Sequence, residues 1–454
     1  MLNSFTHEKY VYLVVLSGNL LALTGDASMS WSSPVLTKLN STGSDNPMGA
    51  PLSEDERSWI ASVSGLGSLI GVIPFVFLPD LIGRKPSLLL IGIPHMISFG
   101  LAAIAKSVFT LYVARFFSGI STISCYVVLP MYVAEVSENS NRGLMLVTFG
   151  IFSHFGSLLS YSAGPYFSMF WFNMFLFMFP AAFFLSFLLI APESPYFHVL
   201  KKDYTAATKS LEKLGRSNPE AELEKIKVEI EGSKKGDILK TLMKKHALKG
   251  SLIALMLTTF QQLSGQAVFT SYTQEIFVEA GSSIKDSATS SLIVGSVTFF
   301  ASFLCPFVID KKGRRFVLVI SITGIIIMEL IFGSYYYLRE ENYDITSVKW
   351  LPLVCLMGYM LFFSIGMGPM PLTITSEILP GNIKFFVSTV SGIFGTISST
   401  LLRKNYYVLN NNLHYFGTIW LFAGLSTFLL IFVLLVVPET KGKSFSEILK
   451  KLGK

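Results

Sequence analysis

Long runs of apolar residues, separated by short polar segments, extend along the whole chain. A run of about 20 apolar residues can cross the hydrocarbon core of a bilayer as a helix. The pattern therefore predicts an all-α membrane protein with twelve transmembrane helices. The predicted spans lie at about residues 12–36, 58–78, 86–105, 108–130, 143–165, 170–190, 251–273, 288–309, 316–338, 351–373, 386–407 and 416–437.

The longest polar segment separates the sixth span from the seventh. It covers residues 196–249, is rich in Lys and Glu, and has helical spacing in stretches such as 221–226. Its excess of Lys predicts a cytoplasmic location, as does the basic tail. We therefore expect cytoplasmic termini and four segments, which are an N-terminal six-helix bundle (1–190), a cytoplasmic helical linker (191–249), a C-terminal six-helix bundle (250–437) and a cytoplasmic tail (438–454).

The composition excludes several classes of protein. Hydrophobic residues make up 51% of the chain and charged residues only 14%, which is not typical of a soluble globular protein. The net charge of +7 comes from basic residues in the short polar segments, which indicates topology signals rather than nucleic-acid binding. Cys125, Cys305 and Cys355 lie inside apolar runs, so no disulfide framework is expected. His95 and His154 lack a second ligand at helical spacing, and no catalytic set can be assembled, so we expect no metal, no cofactor and no enzyme.

Three glutamines interrupt the seventh apolar run. Gln261, Gln262 and Gln266 lie within six residues of one another, together with Ser264. Such side chains are costly in hydrocarbon, so they must face other helices, water or a ligand. Each carboxamide offers two donors and an acceptor without charge, which suits a neutral solute with many hydroxyls. We interpret these residues as part of a sugar site. The alternative is that they join helices by interhelical hydrogen bonds.

Three pairs of motifs recur six spans apart, which indicates two parallel halves. An Asp-x-x-Gly-Arg-basic turn follows spans 2 and 8, a Glu and a basic residue follow spans 4 and 10, and a Pro-Glu motif follows spans 6 and 12. The charged members are Asp80, Arg84, Glu135, Arg142 and Glu193 in the first half, and Asp310, Arg314, Arg315, Glu377, Lys384 and Glu439 in the second.

Seven motifs in this order make the chain resemble the sugar porter family of the major facilitator superfamily. They are Asp-x-x-Gly-Arg-basic in both halves, Arg115 with Gly119, Pro130-x-Tyr132-x-x-Glu135, Pro192-Glu193-Ser194-Pro195, Gln261-Gln262-x-Ser264-Gly265, Gly366-x-Gly368-Pro369-x-Pro371 and Pro438-Glu439-Thr440-Lys441-Gly442. Within the family the chain is most similar to the insect-type facilitated trehalose and hexose transporters, for example at Trp31-Ser32-Ser33-Pro34.

The resemblance implies a monomeric plasma-membrane uniporter that moves trehalose or a hexose by alternating access. It implies that Gln261 and Gln262 bind the sugar, and we add Gln266, Ser32 and Tyr272 as candidates. It also implies that the charged motif residues close the cytoplasmic side while the cavity faces outward. Exposed ion pairs contribute only about 0–1 kcal/mol each, but several together can bias a two-state equilibrium. The alternative is that they only fix topology and helix ends.

Coupling to protons is a separate question. Proton-coupled members of the family carry an Asp late in span 1 that faces the Arg of span 4. Here Ser32 stands at the matching position while Arg115 is retained, which favours uncoupled transport. Asp26 lies six residues earlier and is the candidate for an alternative proton site. A sugar sensor that does not transport is a third hypothesis, which the short C-terminal tail disfavours.

Other positions depart from the hexose-transporter pattern. Ala267, Leu372, Gly150, Gly395 and Thr396 stand where polar or aromatic residues are common in the family. We therefore expect a cavity that is wider and has fewer polar partners. The loop after span 1 contains the sequon Asn40-Ser41-Thr42, which predicts a glycosylated loop outside the cell.

Overall fold

The structure of the protein is a computed structural model that describes residues 2–43, 46–138, 140–233, 238–443 and 447–448. Within these ranges, the side chains at 2–9, 232–233, 238–239, 284, 305–312 and 382 are not described. The described chain contains α-helices, turns and two π-helical breaks, and it contains no β-strand. It divides into two compact units. Unit 1 comprises residues 1–31, 38–51 and 63–235, and unit 2 comprises residues 32–37, 52–62 and 236–454.

Unit 1 is built mainly from long apolar helices. The helices of the N-terminal part of the chain are α1 (Leu2–Ser30), α2 (Ser32–Leu39), α3 (Glu54–Ile82), α4 (Arg84–Ala103), α5 (Val108–Val136), α6 (Arg142–Ala163) and α7 (Met169–Ile190). Most of α2 and the start of α3 belong to unit 2. Helices pack closely at glycines, since a Cβ on Gly119 would lie 1.8 Å from the carbonyl oxygen of Ser64, and one on Gly156 would lie 1.9 Å from that of Leu23. Small residues at such contacts let helix backbones approach in a membrane.

The polar insert as far as residue 233 folds as three short helices that belong to unit 1. They are α8 (Pro195–Leu200), α9 (Tyr204–Lys213) and α10 (Pro219–Ser233). Their apolar faces form a small core that includes Ala207, Leu211 and Ile226. Arg216 attaches the insert to the end of α5, because its Nη2 donates to the carbonyl of Val136 at 2.9 Å and its Nη1 lies 3.1 Å from Glu138. Burial of this guanidinium lowers its pKa.

Unit 2 contains the remaining helices. These are α11 (Ile238–Leu242), α12 (Lys245–Gln261), α13 (Ala267–Glu279), α14 (Ile284–Lys312), α15 (Arg314–Glu340), α16 (Leu351–Phe362), α17 (Met370–Ile378) and α18 (Gly381–Val436), with a 3₁₀ turn at Thr346–Val348. Two π-helical segments, Gln262–Gln266 and Phe363–Met367, connect α12 to α13 and α16 towards α17.

Among the described residues, eleven helices are long and apolar enough to cross a membrane. The last of them, Ile383–Val436, has 54 residues, which is more than twice the length that a single crossing needs. His414 interrupts it with a non-helical backbone at φ 60° and ψ 169°. This one helical stretch therefore covers both of the last two predicted spans, and the predicted multi-span helical fold is confirmed.

Candidate functional site

The first break in unit 2 lies at the glutamine motif. Helix α12 ends at Gln261, and α13 begins only after the π-helical segment. Gly265 has φ +87°, a conformation that L side chains rarely adopt, and a Cβ there would lie 2.6 Å from Cδ2 of Phe422. Tyr359 supports the break by donating from its hydroxyl to the carbonyl of Ser264 at 3.0 Å. The sequence Gln-Leu-Ser-Gly-Gln therefore specifies an interrupted helix.

The second break lies at the Gly-x-Gly-Pro-x-Pro motif. Helix α16 ends at Phe362 and α17 begins at Met370, next to Pro369 and Pro371, which have no backbone N–H to donate. Ser321 of α15 makes hydrogen bonds with backbone groups that the break leaves without helical partners. Its hydroxyl donates to the carbonyl of Phe362 at 2.7 Å and accepts from the backbone N–H of Met367 at 2.8 Å. Interrupted membrane helices of this kind are stable when neighbouring side chains satisfy the freed backbone groups.

Gln261 joins the two breaks. Its Nε2 donates to the carbonyl oxygens of Met367 and Gly368, both at 2.8 Å. These bonds use both donors of the amide, which leaves Oε1 as the group available to a ligand. The amide nitrogen of Gln261 therefore joins two helix segments, as the alternative interpretation predicts. Sugar binding by the amide oxygen of Gln261 stays a prediction.

Gln262 has a different environment from its neighbour. Its side chain is half-buried, and its carboxamide has no hydrogen-bond partner among the described residues. Gly395 of α18 lies beside it, since a Cβ on Gly395 would be 3.6 Å from Cγ of Gln262. Gln266 is also half-buried, and its Nε2 donates to Oγ1 of Thr270 at 3.2 Å. Of the three glutamines of this motif, Gln262 is thus the one whose carboxamide donors and acceptor have no described partner.

The other two substrate candidates are fully buried. Tyr272 donates its hydroxyl proton to the carbonyl of Arg403 at 2.8 Å, and its ring stacks on Tyr406 with 4.4 Å between centroids. Ser32 lies in the buried start of α2. In this structure both residues pack inside unit 2.

The positions that depart from the hexose-transporter pattern fall into two kinds. A Cβ on Gly150 would meet no described heavy atom within 4 Å, so the missing side chain leaves open space. A Cβ on Gly395 would lie 3.1 Å from Cγ2 of Thr258, so α12 fills that place. Leu372 is exposed. The expected wider cavity stays a prediction at Gly150, whereas at Gly395 the neighbouring Thr258 already occupies the space.

The coupling candidates lie in unit 1 with different partners. Arg115 is buried, its Nη1 donates to the carbonyl of Ser28 at 2.7 Å, and its guanidinium lies 5.1 Å from the centroid of the Trp31 ring. Asp26 accepts a hydrogen bond from the hydroxyl of Tyr126, and its Oδ2 lies 3.6 Å from Nδ1 of His154.

His154 is a residue that the sequence reasoning missed. Its lack of a second metal ligand at helical spacing says nothing of its contacts with other helices, and the pattern within one span does not show that α6 brings it to Asp26 on α1. No group of three metal-ligating side chains is found among the described residues.

A charged cluster joins helix ends in unit 1. Nε of Arg84 lies 3.0 Å from Glu135 and its Nη1 lies 2.9 Å from Asp80. Glu193 accepts from the backbone N–H of Arg84 at 2.9 Å and so caps the start of α4. Gly83 has φ +108°, and a Cβ there would lie 2.2 Å from Oε2 of Glu193. Only glycine therefore permits this close approach.

Unit 2 repeats this arrangement. Nε of Arg314 lies 3.1 Å from Glu377. Glu439 accepts from the backbone N–H groups of Arg314 at 3.0 Å and Arg315 at 3.2 Å, beside Gly313 with φ +97°. Partial burial works to raise the pKa of the Glu439 carboxyl. Hydrogen bonds from four backbone N–H groups outweigh it, so the pKa lies below its ordinary value.

Three predicted members are absent from the described ion pairs. The side chain of Asp310 lies outside the described residues. Nε of Arg142 is buried with no hydrogen-bond partner in the described part of the chain. Lys384 interacts electrostatically with Glu377 and forms no described ion pair within 4.0 Å. Ser194 was not predicted, and its hydroxyl donates to Glu135. Asn40 lies exposed in the turn after α2.

The fold and the positions of the motifs define a multi-pass membrane transporter of the major facilitator superfamily. The family model "Sugar (and other) transporter" matches residues 26–452. The chain belongs to this family of sugar transporters, as the motifs predicted.

Several relatives of this chain are insect proteins with the same name, facilitated trehalose transporter Tret1. The facilitated trehalose transporter Tret1 of Bombyx mori is 32% identical over 431 residues, which cover 94% of this chain and 83% of the relative. Tret1 of Polypedilum vanderplanki is 31% identical over 459 residues, covering 98% of this chain and 89% of the relative. Tret1 of Aedes aegypti is 32% identical and covers 97% of this chain, which spans 55% of that longer protein.

A solved structure shares the fold. The inward-open xylose transporter XylE from E. coli matches with a TM-score of 0.79 and 20% sequence identity, covering 98% of this chain and 100% of that chain. At this identity the similarity concerns the fold, which is the predicted one.

Proposed function

We propose that the protein is a uniporter that moves trehalose or a hexose across the membrane by alternating access. The observation that carries this proposal is the carboxamide of Gln262, which has no partner among the described residues and lies beside a glycine-dependent break in a membrane helix. Interrupted helices mark the substrate sites of many transporters, because they present polar groups at membrane depth. The name of the Tret1 relatives supports trehalose as the first sugar to test.

The local chemistry fits a neutral polyhydroxylated ligand. Gln262 offers two N–H donors and one carbonyl acceptor, and Gln261 adds the acceptor Oε1. A sugar hydroxyl left without a partner costs about 1–3 kcal/mol, so the placement of these few groups decides which sugar is accepted. The bonds from Gln261 to Met367 and Gly368 hold that acceptor in place.

The charged clusters have a role in this mechanism. We assign the Arg84–Glu135 and Arg314–Glu377 pairs, with the capping acids Glu193 and Glu439, to closure of the cytoplasmic side. The excess of Lys in the insert and the basic tail support cytoplasmic termini. We further propose that the protein acts as a monomer in the plasma membrane.

Uptake of labelled trehalose and glucose into proteoliposomes tests the substrate class. Either sugar should equilibrate without an imposed gradient, and Gln262→Ala should reduce uptake at low sugar concentration. Gly100→Ala on α4 is the matched control, because the added methyl meets no described atom within 4 Å. Robust sugar binding without flux of either sugar would favour the sensor hypothesis instead.

A specific observation favours a second candidate, which is proton-coupled transport. Asp26 is buried on α1 and is in contact with Tyr126 and His154. A buried carboxyl with a titratable neighbour is a candidate proton carrier. This hypothesis predicts sugar accumulation that depends on a proton gradient and is abolished in Asp26→Asn. Equal uptake by both proteins with and without the gradient would exclude it.

A further inference from the structure

The beginning of α3 is unlike the rest of that helix. Its first turn carries Glu54, Asp55 and Glu56, followed by Arg57, before the apolar span begins. Residues 52–62 belong to unit 2, whereas the helix continues into unit 1 from residue 63. A single continuous helix is thus shared by the two units.

A buried ion pair holds this beginning within unit 2. Nη1 of Arg57 lies 2.6 Å from Oε1 of Glu275 on α13, and each residue is only 8% exposed. Tyr407 of α18 donates its hydroxyl proton to Oε2 of Glu275 at 2.6 Å, and the guanidinium lies 4.8 Å from the centroid of the tyrosine ring. Removal of one partner from such a buried ion pair is strongly destabilising, because it leaves an uncompensated buried charge.

Weaker contacts surround the ion pair. Lys404 pairs with Asp55, donates to Oγ of Ser58 at 2.9 Å and lies 4.7 Å from the centroid of the Trp59 ring. Asn411 donates from Nδ2 to Oε2 of Glu54 at 2.9 Å. Exposed contacts of this kind contribute little one by one. Together with Tyr407, however, Lys404 and Asn411 place three positions of α18 against the first turns of α3.

We propose that Arg57, Glu275 and Tyr407, with Asp55 and Lys404, form a latch that must open and re-form in every transport cycle. This inference rests on the proposed alternating-access function. It concerns the end of α3 opposite to its Asp80–Arg84 turn. Because α3 belongs to unit 2 only as far as residue 62, its first turns are the part of the helix that the proposed cycle would separate from Glu275.

The chemistry of the latch suits a switch with two states. In the closed state the two charges satisfy each other in a water-poor setting. In the open state water solvates both charges, which repays the lost contact. The closed state does not satisfy every hydrogen-bond donor of the ion pair, since the buried Nε of Arg57 has no hydrogen-bond partner among the described residues. An imperfect pair lowers the free energy needed to open the latch.

Reversible cross-linking tests whether the latch must open. Asp55→Cys and Lys404→Cys are combined in a background in which Cys125, Cys305 and Cys355 are replaced by Ser. A short bifunctional methanethiosulfonate reagent should stop sugar uptake in the double variant, and reductant should restore it. Lys404→Cys alone, treated in the same way, should keep its uptake. Full uptake by protein shown to be cross-linked by mass spectrometry would overturn the proposal.

A second measurement does not depend on transport. Ala61 is fully buried in α3, so a cysteine at this position should react with an impermeant thiol reagent only when the latch opens. Arg57→Gln should raise its labelling rate about tenfold, and Arg57→Glu with Glu275→Arg should bring the rate back towards the parent value. The exposed Ser107→Cys reports unrelated changes. An unchanged rate in Arg57→Gln would contradict the latch, whereas absence of sugar flux in the untreated parent protein would contradict only the proposed function.

Discussion

Gln261 and Gln262 are adjacent and identical, yet they make different contacts. Gln261 donates both amide N–H groups to the carbonyls of Met367 and Gly368, whereas the carboxamide of Gln262 has no described partner. Gln261 is therefore both a structural residue and a candidate acceptor for the sugar. Gln262 is placed to make hydrogen bonds only with a ligand or water.

The two glutamines should respond differently to truncation. Gln262→Ala should raise the KM for sugar about tenfold and leave thermal stability unchanged, because it removes only ligand contacts. Gln261→Ala should also lower the free energy of unfolding by about 1–3 kcal/mol, because two carbonyls lose their donor. Uptake kinetics and thermal unfolding in detergent measure both effects. Equal loss of stability in the two variants would show that Gln262 is structural as well.

The sequence predicts a break in the seventh span and does not show which contacts each glutamine makes there. Gln261, Gln262 and Gly265 identify a polar break, because carboxamides and glycine are costly inside a membrane helix. The direction of the Gln261 amide depends on the carbonyls that the second break exposes, about 106 residues further along the chain. Likewise, only packing places His154 of α6 beside Asp26 of α1.

At the scale of helices, the two Gly-Arg turns are built alike and buried differently. Arg84 and Glu135 have side chains that are 4% and 12% exposed, whereas those of Arg314 and Glu377 are 20% and 28% exposed. Burial raises the cost of removing one partner from an ion pair. The first cluster should therefore be the more sensitive of the two.

Neutralising the acids tests this difference. Glu135→Gln should destabilise its cluster by about 3 kcal/mol and Glu377→Gln by about 1 kcal/mol. Both should favour the inward-facing state, which thiol labelling of a cysteine on the cytoplasmic side of the bundle measures. Asp203→Asn in the exposed insert is the control. A larger response to Glu377→Gln would contradict the account from burial.

Glu439 gives its helix end a predictable dependence on pH. The pKa of its carboxyl is lower in the folded protein than its ordinary value, so the ionised form stabilises the fold. That contribution is complete above the pKa of an unfolded Glu, about 4.3, and is lost as the pH falls through the lower folded value. The melting temperature of Glu439→Gln should therefore approach that of the parent protein below about pH 4. A constant difference between the two proteins from pH 7 to pH 3.5 would contradict this cause.

The helices themselves follow closely from the apolar pattern. The predicted ends at 78 and 309 fall a few residues short of the observed ends at Ile82 and Lys312, where Gly83 and Gly313 stop the helix with positive φ. Pro79 lies inside α3 and does not end it. The pattern separated the last two spans, whereas the structure carries helix through the polar stretch between them as far as His414. Asn410 and its neighbours form helix there because tertiary packing overrides their weak helix propensity.

For the molecule as a whole, the repeated motifs, the helical fold and the match to the sugar transporter family agree. The division into units adds what the motifs do not show, since α3 belongs to unit 2 at its beginning and to unit 1 beyond residue 62. Arg57 and Glu275 lie 218 residues apart in the chain, and neither belongs to a motif of the family. Pairing at this distance is a property of packing and is not visible in local sequence.

We propose that the protein moves a neutral sugar down its gradient. The most direct test is counterflow in proteoliposomes that are loaded with unlabelled trehalose or glucose and diluted into trace labelled sugar without a proton gradient. The account predicts transient accumulation of the label, which then decays to equal concentrations on both sides, and loss of this overshoot in Gln262→Ala. Absence of an overshoot for both sugars, in protein shown to be folded and inserted, would contradict it.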